Sequence, residues 1–298
     1  MKADNRQMAR GLDHIVHAVR DLDAAAEFYR RAGFTVGARN RHAWGTHNYI
    51  VQFPGVFIEL LTIGEPELIR PGAPGTFSFG TFARDFLARE EGLAMLVLEG
   101  KDAPGDAASF REAGIGDFKP FRFEREAKRL DGSPTKVAFS LAFAADDKAP
   151  DIGYFTCQQH QPENFWNPAF QQHGNGVVTI AGISLVSANP EQHGHFVSAF
   201  SGESRVDADA RGISVTTPRG AIQVMTPAAY TAYAGTGSPD LARGARLAAM
   251  RFAVSDKVAT SSALKAGGIE FAECAGNIIV PPHAAHGATL IFEAGKQG

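Results

Sequence analysis

One pattern of strand and helix signals recurs four times along this chain of 298 residues. Each copy starts with an apolar strand, continues through a short helix that ends near a glycine, and finishes with further strands. The copies start near Gly11, Leu93, Val177 and Arg246. Units repeated in this way become stable by packing against their neighbours. The pattern therefore predicts an α+β fold of two paired-module domains, residues 10–173 and 176–296.

Composition and charge narrow the classes of partner. The net charge is −3 and no basic run gathers aromatic residues, so neither nucleic acid nor an anionic membrane surface is an expected partner. The chain opens on a polar segment without the apolar stretch of a secretion signal, and no run approaches the ~20 apolar residues of a spanning helix. Cys157 and Cys274 lie far apart and predict free thiols in a reducing compartment. We expect a cytoplasmic protein with a small-molecule partner, either a monomer or a homodimer.

Two polar residues interrupt the apolar strands of the first copy. His14 lies in the string LDHIVHAV, and Glu59 lies in GVFIELL. A charged group in such surroundings is costly to bury unless it is paired, hydrogen-bonded or bound to a metal, so Glu59 is a candidate functional residue. His17 falls on the opposite face of a regular strand from His14, and we expect it to pack against the following helix.

The arrangement of these residues resembles the vicinal-oxygen-chelate superfamily, which includes glyoxalase I, extradiol dioxygenases and bleomycin-resistance proteins. The helix that carries Phe28 and Tyr29 and stops before Gly33 is part of the same pattern. A GTxN motif found in a glyoxalase-like group is matched by Gly45, Thr46 and Asn48. Members are built from βαβββ modules. The resemblance therefore implies four βαβββ modules that form two paired-module vicinal-oxygen-chelate domains.

The resemblance also implies a divalent metal such as zinc, nickel, manganese or iron. In the superfamily the first strand offers a histidine and the fourth offers a glutamate, which are the positions of His14 and Glu59. The second module has Leu93 and Cys157 at the matching positions, and neither is the expected type. His160 would reach the site only if its strand ended early or bulged. The expected metal ligands are His14, Glu59 and His160, and Glu59 is also the expected catalytic residue because it would move a proton.

Two functions are compatible with this sequence. One is a glyoxalase-type lyase or isomerase, in which a metal polarises the oxygens of a small substrate. The alternative is a metal-free protein that binds or sequesters a small apolar or aromatic ligand, which the incomplete ligand set and the 22 phenylalanines favour. In both cases the residues expected to contact the ligand are Trp44, His47, Asn48, Phe57 and Cys157.

An insertion rich in proline and glycine, residues 64–91, separates the first two modules. Its second half places Phe79, Phe82 and Phe86 at helical intervals, which predicts a short helix with one apolar face. This helix either covers one end of the barrel as a fixed element or acts as a lid over the pocket.

Overall fold

The first two modules form one curled sheet of eight strands. The computed structural model describes residues 9–128 and 133–295. The first module comprises β1 (Leu12–Ala18), α1 (Leu22–Arg31), β2 (Asn40–Arg41), β3 (Thr46–Phe53) and β4 (Val56–Ile63). After α2 (Phe79–Leu87), the second module comprises β5 (Gly92–Glu99), α3 (Ala103–Glu112), β6 (Phe121–Lys128), β7 (Pro134–Ala144) and β8 (Gly153–Gln159). The strand order is β2-β3-β4-β1-β5-β8-β7-β6.

The last two modules repeat this architecture in a second sheet. The third module comprises β9 (Val177–Val186), α4 (Gly194–Ser201), β10 (Asp207–Asp209), β11 (Gly212–Thr216) and β12 (Ala221–Met225). After α5 (Pro227–Ala234), the fourth module comprises β13 (Arg246–Val254), α6 (Lys257–Ala266), β14 (Ala272–Cys274), β15 (Asn277–Val280) and β16 (Thr289–Ala294). The strand order, β10-β11-β12-β9-β13-β16-β15-β14, matches that of the first sheet.

Pairing between modules is the same in both sheets. The first strand of each module runs parallel to the last strand of that module, and antiparallel to the first strand of the partner module. Each sheet therefore has the first strands of its two modules at its centre and curls into a half-barrel. In the second sheet, the strand at each edge is short. This confirms the predicted α+β fold of four βαβββ modules. The predicted domain limits, residues 10–173 and 176–296, remain a prediction, and they fall between β8 and β9.

Local signals in the first module act largely as expected. The carboxylate of Asp21 caps α1 by accepting a 2.9 Å hydrogen bond from the amide of Ala24. Gly33 follows the helix with a φ of +86°, a conformation that glycine adopts without strain. Between α1 and β3, regular strand pairing is limited to the two residues of β2. No helix within the described residues has the length and apolar character needed to cross a membrane.

The two half-barrels share one hydrophobic core. Phe34, which follows α1 in the first module, contacts Phe252 and Phe292 of the second sheet. The ring centroids are 5.4 and 6.3 Å apart, respectively. A buried polar contact reinforces this interface, since the Nδ1 atom of His193 lies 2.6 Å from the Asp146 carboxylate. The side chains of both residues are at least 95% buried. The two sheets are therefore joined by apolar packing and by a buried polar pair.

Candidate active site

The first sheet encloses a cavity of about 70 Å³. At ~10–15 Å³ for one water, this is room for roughly five waters or a compact organic molecule. Most of its lining is apolar: Val16, Ile50, Phe57, Leu61, Phe79, Met95, Phe123, Phe139, Leu141, Phe155 and Phe165. The ionisable or polar residues of the lining are His14, His42, Thr46, Asn48, Glu59, Arg125 and Cys157, with Trp44 beside them.

A β-bulge positions the histidine of this cavity. On β1 the residues Leu12 and His14 pair with Leu98 and Val97 of β5, so Asp13 is an extra residue on its strand. The bulge allows the neighbouring side chains of Asp13 and His14 to meet, and Asp13 Oδ1 lies 2.5 Å from His14 Nδ1. With Nδ1 engaged in this way, Nε2 is the ring nitrogen available to the cavity.

Two further contacts hold the Asp13–His14 pair in place. The other oxygen of Asp13, Oδ2, accepts a 3.0 Å hydrogen bond from Gln159 of β8. The imidazole of His14 stacks on the ring of Phe57, with centroids 4.3 Å apart and planes 13° apart. Both side chains of the Asp13–His14 pair are buried. The orientation of the imidazole is therefore fixed on its edge and on its face.

Glu59 lies opposite His14, as the sequence predicted. Its Oε1 atom accepts a 2.5 Å hydrogen bond from the side-chain amide of Asn48. Its Oε2 atom lies 3.8 Å from His14 Nε2, which is too far for a direct hydrogen bond. A carboxylate and an imidazole thus face each other with a gap between them. The gap matches what a bridging ligand oxygen or water would need.

Two polar residues of the cavity, His42 and Arg125, were not expected from the sequence. The His42 ring stacks on Trp44 with centroids 4.5 Å apart, and its Nδ1 atom lies 2.8 Å from the Thr46 hydroxyl. Burial lowers the pKa of His42, while the charge of Glu59 opposes this effect. His42 is therefore neutral at pH 7.

The remaining predicted site residues divide between the cavity and other surfaces. Trp44, Asn48, Phe57 and Cys157 line the cavity. His47 does not, because strand alternation places it on the other face of β3, where it lies 3.1 Å from Glu65 and is bonded to Arg39. His160 follows the end of β8 and lies 2.8 Å from the Ser140 hydroxyl and 2.9 Å from Arg122. The structure therefore does not bring His160 to His14 and Glu59.

The second module contributes one expected residue to the cavity and one that differs from the expectation, because the register of β5 was not predicted correctly. Met95, rather than the expected Leu93, lines the cavity from β5, and Leu93 belongs to the core. Cys157 lines the cavity from β8 as expected. Burial, together with the charges of Asp13 and Glu59, raises the pKa of the Cys157 thiol well above its usual range. Cys157 is thus a protonated, unreactive thiol at neutral pH.

The insertion between the modules closes one end of the cavity. Phe79, at the start of α2, lines the cavity and packs on Trp44 with centroids 5.3 Å apart. Phe82 and Phe86 pack in the apolar cluster around the same barrel. The helix thus covers a barrel end, whereas motion of α2 as a lid remains a prediction. From the linker after β8, Phe165 also enters the lining.

The donor set fits a resident divalent metal poorly. The potential ligand atoms of Asp13, His14 and Cys157 lie within 4.8 Å of one another. However, Asp13 and His14 are already hydrogen-bonded to each other, and a metal binds the thiolate form that burial disfavours in Cys157. On the cavity side, His14, His42 and Glu59 carry donor atoms, with Glu59 3.8 Å from each imidazole. Within the described residues these three donor atoms do not all lie within 4.8 Å of one another, as the three protein ligands of a catalytic zinc would require. The guanidinium of Arg125 in the same cavity would also repel a cation.

Comparison with known proteins is consistent with this fold. The model of the family described as "Glyoxalase-like domain" matches residues 12–199, which cover the first two modules and the start of the third. No curated protein is significantly similar in sequence to the chain.

Two solved structures illustrate the likeness in three dimensions. A hypothetical protein from Staphylococcus aureus superposes with a TM-score of 0.68 at 14% identity, covering 96% of this chain and 99% of its own. A mutant of 4-hydroxymandelate synthase from Streptomyces coelicolor superposes with a TM-score of 0.57 at 12% identity, covering 97% of this chain and 94% of its own. At these identities the likeness shows a shared fold alone.

Proposed function

This chain belongs to the glyoxalase-like domain family, within the vicinal-oxygen-chelate superfamily that its sequence resembles, and we propose that it is a lyase or isomerase. Its N-terminal barrel would move a proton on a small, mainly apolar molecule that carries a carbonyl oxygen. The observation that carries this proposal is the Asp13–His14 pair facing Glu59 across 3.8 Å inside an apolar cavity.

His14 is suited to act as the base. Because the Nδ1–H group of His14 donates a hydrogen bond to Asp13, the Nε2 atom has a lone pair directed to the cavity. The charge of Asp13 would stabilise the imidazolium that forms when Nε2 takes a proton. The apolar lining keeps water from competing for that proton. A carbon–hydrogen bond next to a carbonyl is the kind of weak acid that such a base can ionise.

Glu59 supplies the second group that proton movement requires. Its Oε1 atom is held by Asn48, while Oε2 faces the gap where a substrate would lie. The Glu59 carboxylate can accept a proton from one atom of the substrate and then return it to a neighbouring atom, which completes an isomerisation, or pass it to a leaving group, which completes an elimination. Neither step depends on a metal ion, and the donor set described above gives no reason to include one.

Ligand binding without turnover is the second candidate function. It is favoured by the large apolar share of the lining and by the second module, which contributes Met95, Phe155 and Cys157 where a metalloenzyme of this superfamily would have ligands. A protein of this kind would sequester a compact apolar molecule. The charged cluster would then orient the oxygen of that molecule.

Deuterium exchange distinguishes these functions. The protein is incubated in D₂O with a panel of short ketones, hydroxyketones and thiol adducts of 2-oxoaldehydes, with EDTA present, and exchange at the carbon next to the carbonyl is followed by NMR. We expect exchange with at least one compound, its loss in His14→Gln, and its retention in His160→Gln, which lies outside the cavity. Binding measured by calorimetry without exchange would support the second candidate. Exchange that appears only after EDTA is replaced by zinc, nickel, manganese or iron would refute the metal-free step.

A further inference from the structure

We propose that Arg125 is a catalytic residue of this site, whose guanidinium binds the carbonyl oxygen of the substrate and holds the negative charge that forms there. The inference rests on the proposed function, and it names the substrate class as neutral carbonyl compounds that pass through an enolate. The positive charge that a metal ion provides in metal-dependent chemistry would here come from an arginine.

Strand alternation shows that Arg125 is built into the cavity. Along β6 the side chains alternate between half-buried and exposed positions. Phe121, Phe123 and Arg125 share the half-buried face, and Arg122 and Glu124 are exposed. Phe123 and Arg125 both line the cavity. A guanidinium on an apolar strand face is costly to desolvate, so its presence there calls for a compensating role.

A chain of side-chain amides links Arg125 to the carboxylate across the opening of the half-barrel. Arg125 Nη1 donates to Asn40 Oδ1 at 3.3 Å, and Asn40 Nδ2 donates to Asn48 Oδ1 at 2.9 Å. Asn48 Nδ2 then donates to Glu59 Oε1 at 2.5 Å. Because β6 and β2 are the two edges of the sheet, this chain closes the seam between them. It fixes the guanidinium and the carboxylate relative to each other.

The guanidinium keeps donors for a ligand. Its hydrogen bonds to described residues, Asn40 and Glu126, both start from Nη1. Burial lowers the pKa of Arg125 and the charge of Glu59 raises it, without a direct hydrogen bond between the two. An arginine stays protonated at any physiological pH. Its Nε and Nη2 protons can therefore be directed at a substrate oxygen, and planar donors of this kind suit an oxyanion.

Charge balance favours a neutral substrate. The cavity already pairs the negative charge of Glu59 with the positive charge of Arg125, so an anion would be repelled by Glu59 and a cation by Arg125. In the proposed step the carbon–hydrogen bond breaks, its proton goes to His14 Nε2, and its electron pair forms the carbon–carbon double bond of the enolate. The carbonyl electron pair moves onto oxygen, beside Arg125. Charge therefore develops next to the guanidinium and is absent before the step.

Acetylacetone is a direct probe of this inference, because its enolate has a distinct ultraviolet absorbance. Among the described residues that line the cavity none is a lysine, so imine formation with these residues is not expected. The fraction of bound probe present as enolate is titrated against pH, with EDTA present, for the wild type and for Arg125→Gln, Arg125→Lys and Arg122→Gln. Arg122 is the matched control, since it lies on the exposed face of the same strand.

We expect the wild type to bind the enolate at least about tenfold more tightly than Arg125→Gln does, with a smaller change for the neutral form. Arg125→Lys should recover part of this preference, and Arg122→Gln should match the wild type. Deuterium exchange on the best substrate should fall about 100-fold in Arg125→Gln. Circular dichroism and melting temperature verify that each variant is folded, and Arg125→Lys retains the charge should Arg125→Gln fail to fold.

The outcomes separate this inference from the proposed function. Wild-type exchange rates and enolate binding in Arg125→Gln would overturn the role of Arg125 and leave the proton-transfer function standing. Absence of both probe binding and exchange in the wild type would overturn both. Equal losses in Arg125→Gln and Arg122→Gln would show a general effect of charge on β6, and would also overturn the specific role.

Discussion

Acid should destabilise this protein through His17, which lies behind the cavity at the contact between the two half-barrels. Its Nδ1 atom lies 3.0 Å from the Tyr29 hydroxyl, and its Nε2 atom lies 2.9 Å from the backbone carbonyl of His286. Nε2 therefore carries the proton that is donated to the carbonyl, and Nδ1 accepts from Tyr29. Burial lowers the pKa of His17 from 6.5 to about 4, although the carbonyl of His286 opposes the shift.

The sign and the size of the effect follow from linkage. Between pH 6.5 and about 4 the unfolded chain binds a proton at His17 that the folded chain does not, so the stabilisation is complete above pH 6.5 and is lost as the pH falls. At 1.36 kcal/mol for each pKa unit, the difference between 6.5 and about 4 corresponds to about 3 kcal/mol in the free energy of unfolding.

Urea denaturation at about pH 7 and about pH 4.5 tests this expectation. Between these two pH values, the free energy of unfolding of the wild type should fall more than that of His17→Gln, whose amide does not titrate. The difference between the two proteins should be most of the expected value of about 3 kcal/mol. His283→Gln is the matched control, because the His283 side chain is 68% exposed and should leave the acid sensitivity unchanged. The same loss of stability in the wild type and in His17→Gln would refute the assignment.

Three further changes have defined outcomes. Glu59→Gln should slow deuterium exchange at least about 100-fold without altering the melting temperature, and an unchanged NMR exchange rate would contradict its role. Asp146→Ala should cost about 3 kcal/mol in urea denaturation, because it leaves buried His193 without its carboxylate partner; a loss below about 1 kcal/mol would show that the pair contributes little. Phe79→Ala should enlarge the cavity and cost about 2 kcal/mol, less than for a fully buried ring, because Phe79 is only half-buried. It should also improve the affinity for bulkier ketones relative to smaller ones in calorimetry, and an unchanged order of affinities would contradict this.

The sequence predicts the parts of the site that depend on regular alternation. His17 was placed against the helix because apolar strands with period two have only two faces. His14 and Glu59 were placed at one site because they match the metal-ligand positions of the superfamily that the sequence resembles. The repeated strand and helix signals likewise sufficed for four modules. The length of β2 was not predictable, because its residues carry no pattern that separates a paired strand from an extended loop.

The cavity residues that were not predicted from the sequence are placed by an irregular strand or by a strand register that the sequence does not reveal. Regular alternation places Asp13 away from His14, and only the bulge brings them together. Arg125 did carry a signal, since the string FRFER places it on the same face as two phenylalanines, but the register of β6 within the barrel was unknown. His160 was expected near the metal because β8 could have bulged, whereas it follows the end of the strand and bonds to Ser140.

The shared core of the two half-barrels makes the chain indivisible. Phe34, Phe53, Phe252 and Phe292 belong to one apolar cluster that spans both sheets. Cutting the gene between the second and third modules would leave half of this cluster facing water on each fragment, so the half that holds the cavity could not be kept while the other half was discarded. The second sheet thus serves as the permanent backing of the first, so a chain whose candidate site lies in one half depends on all four modules.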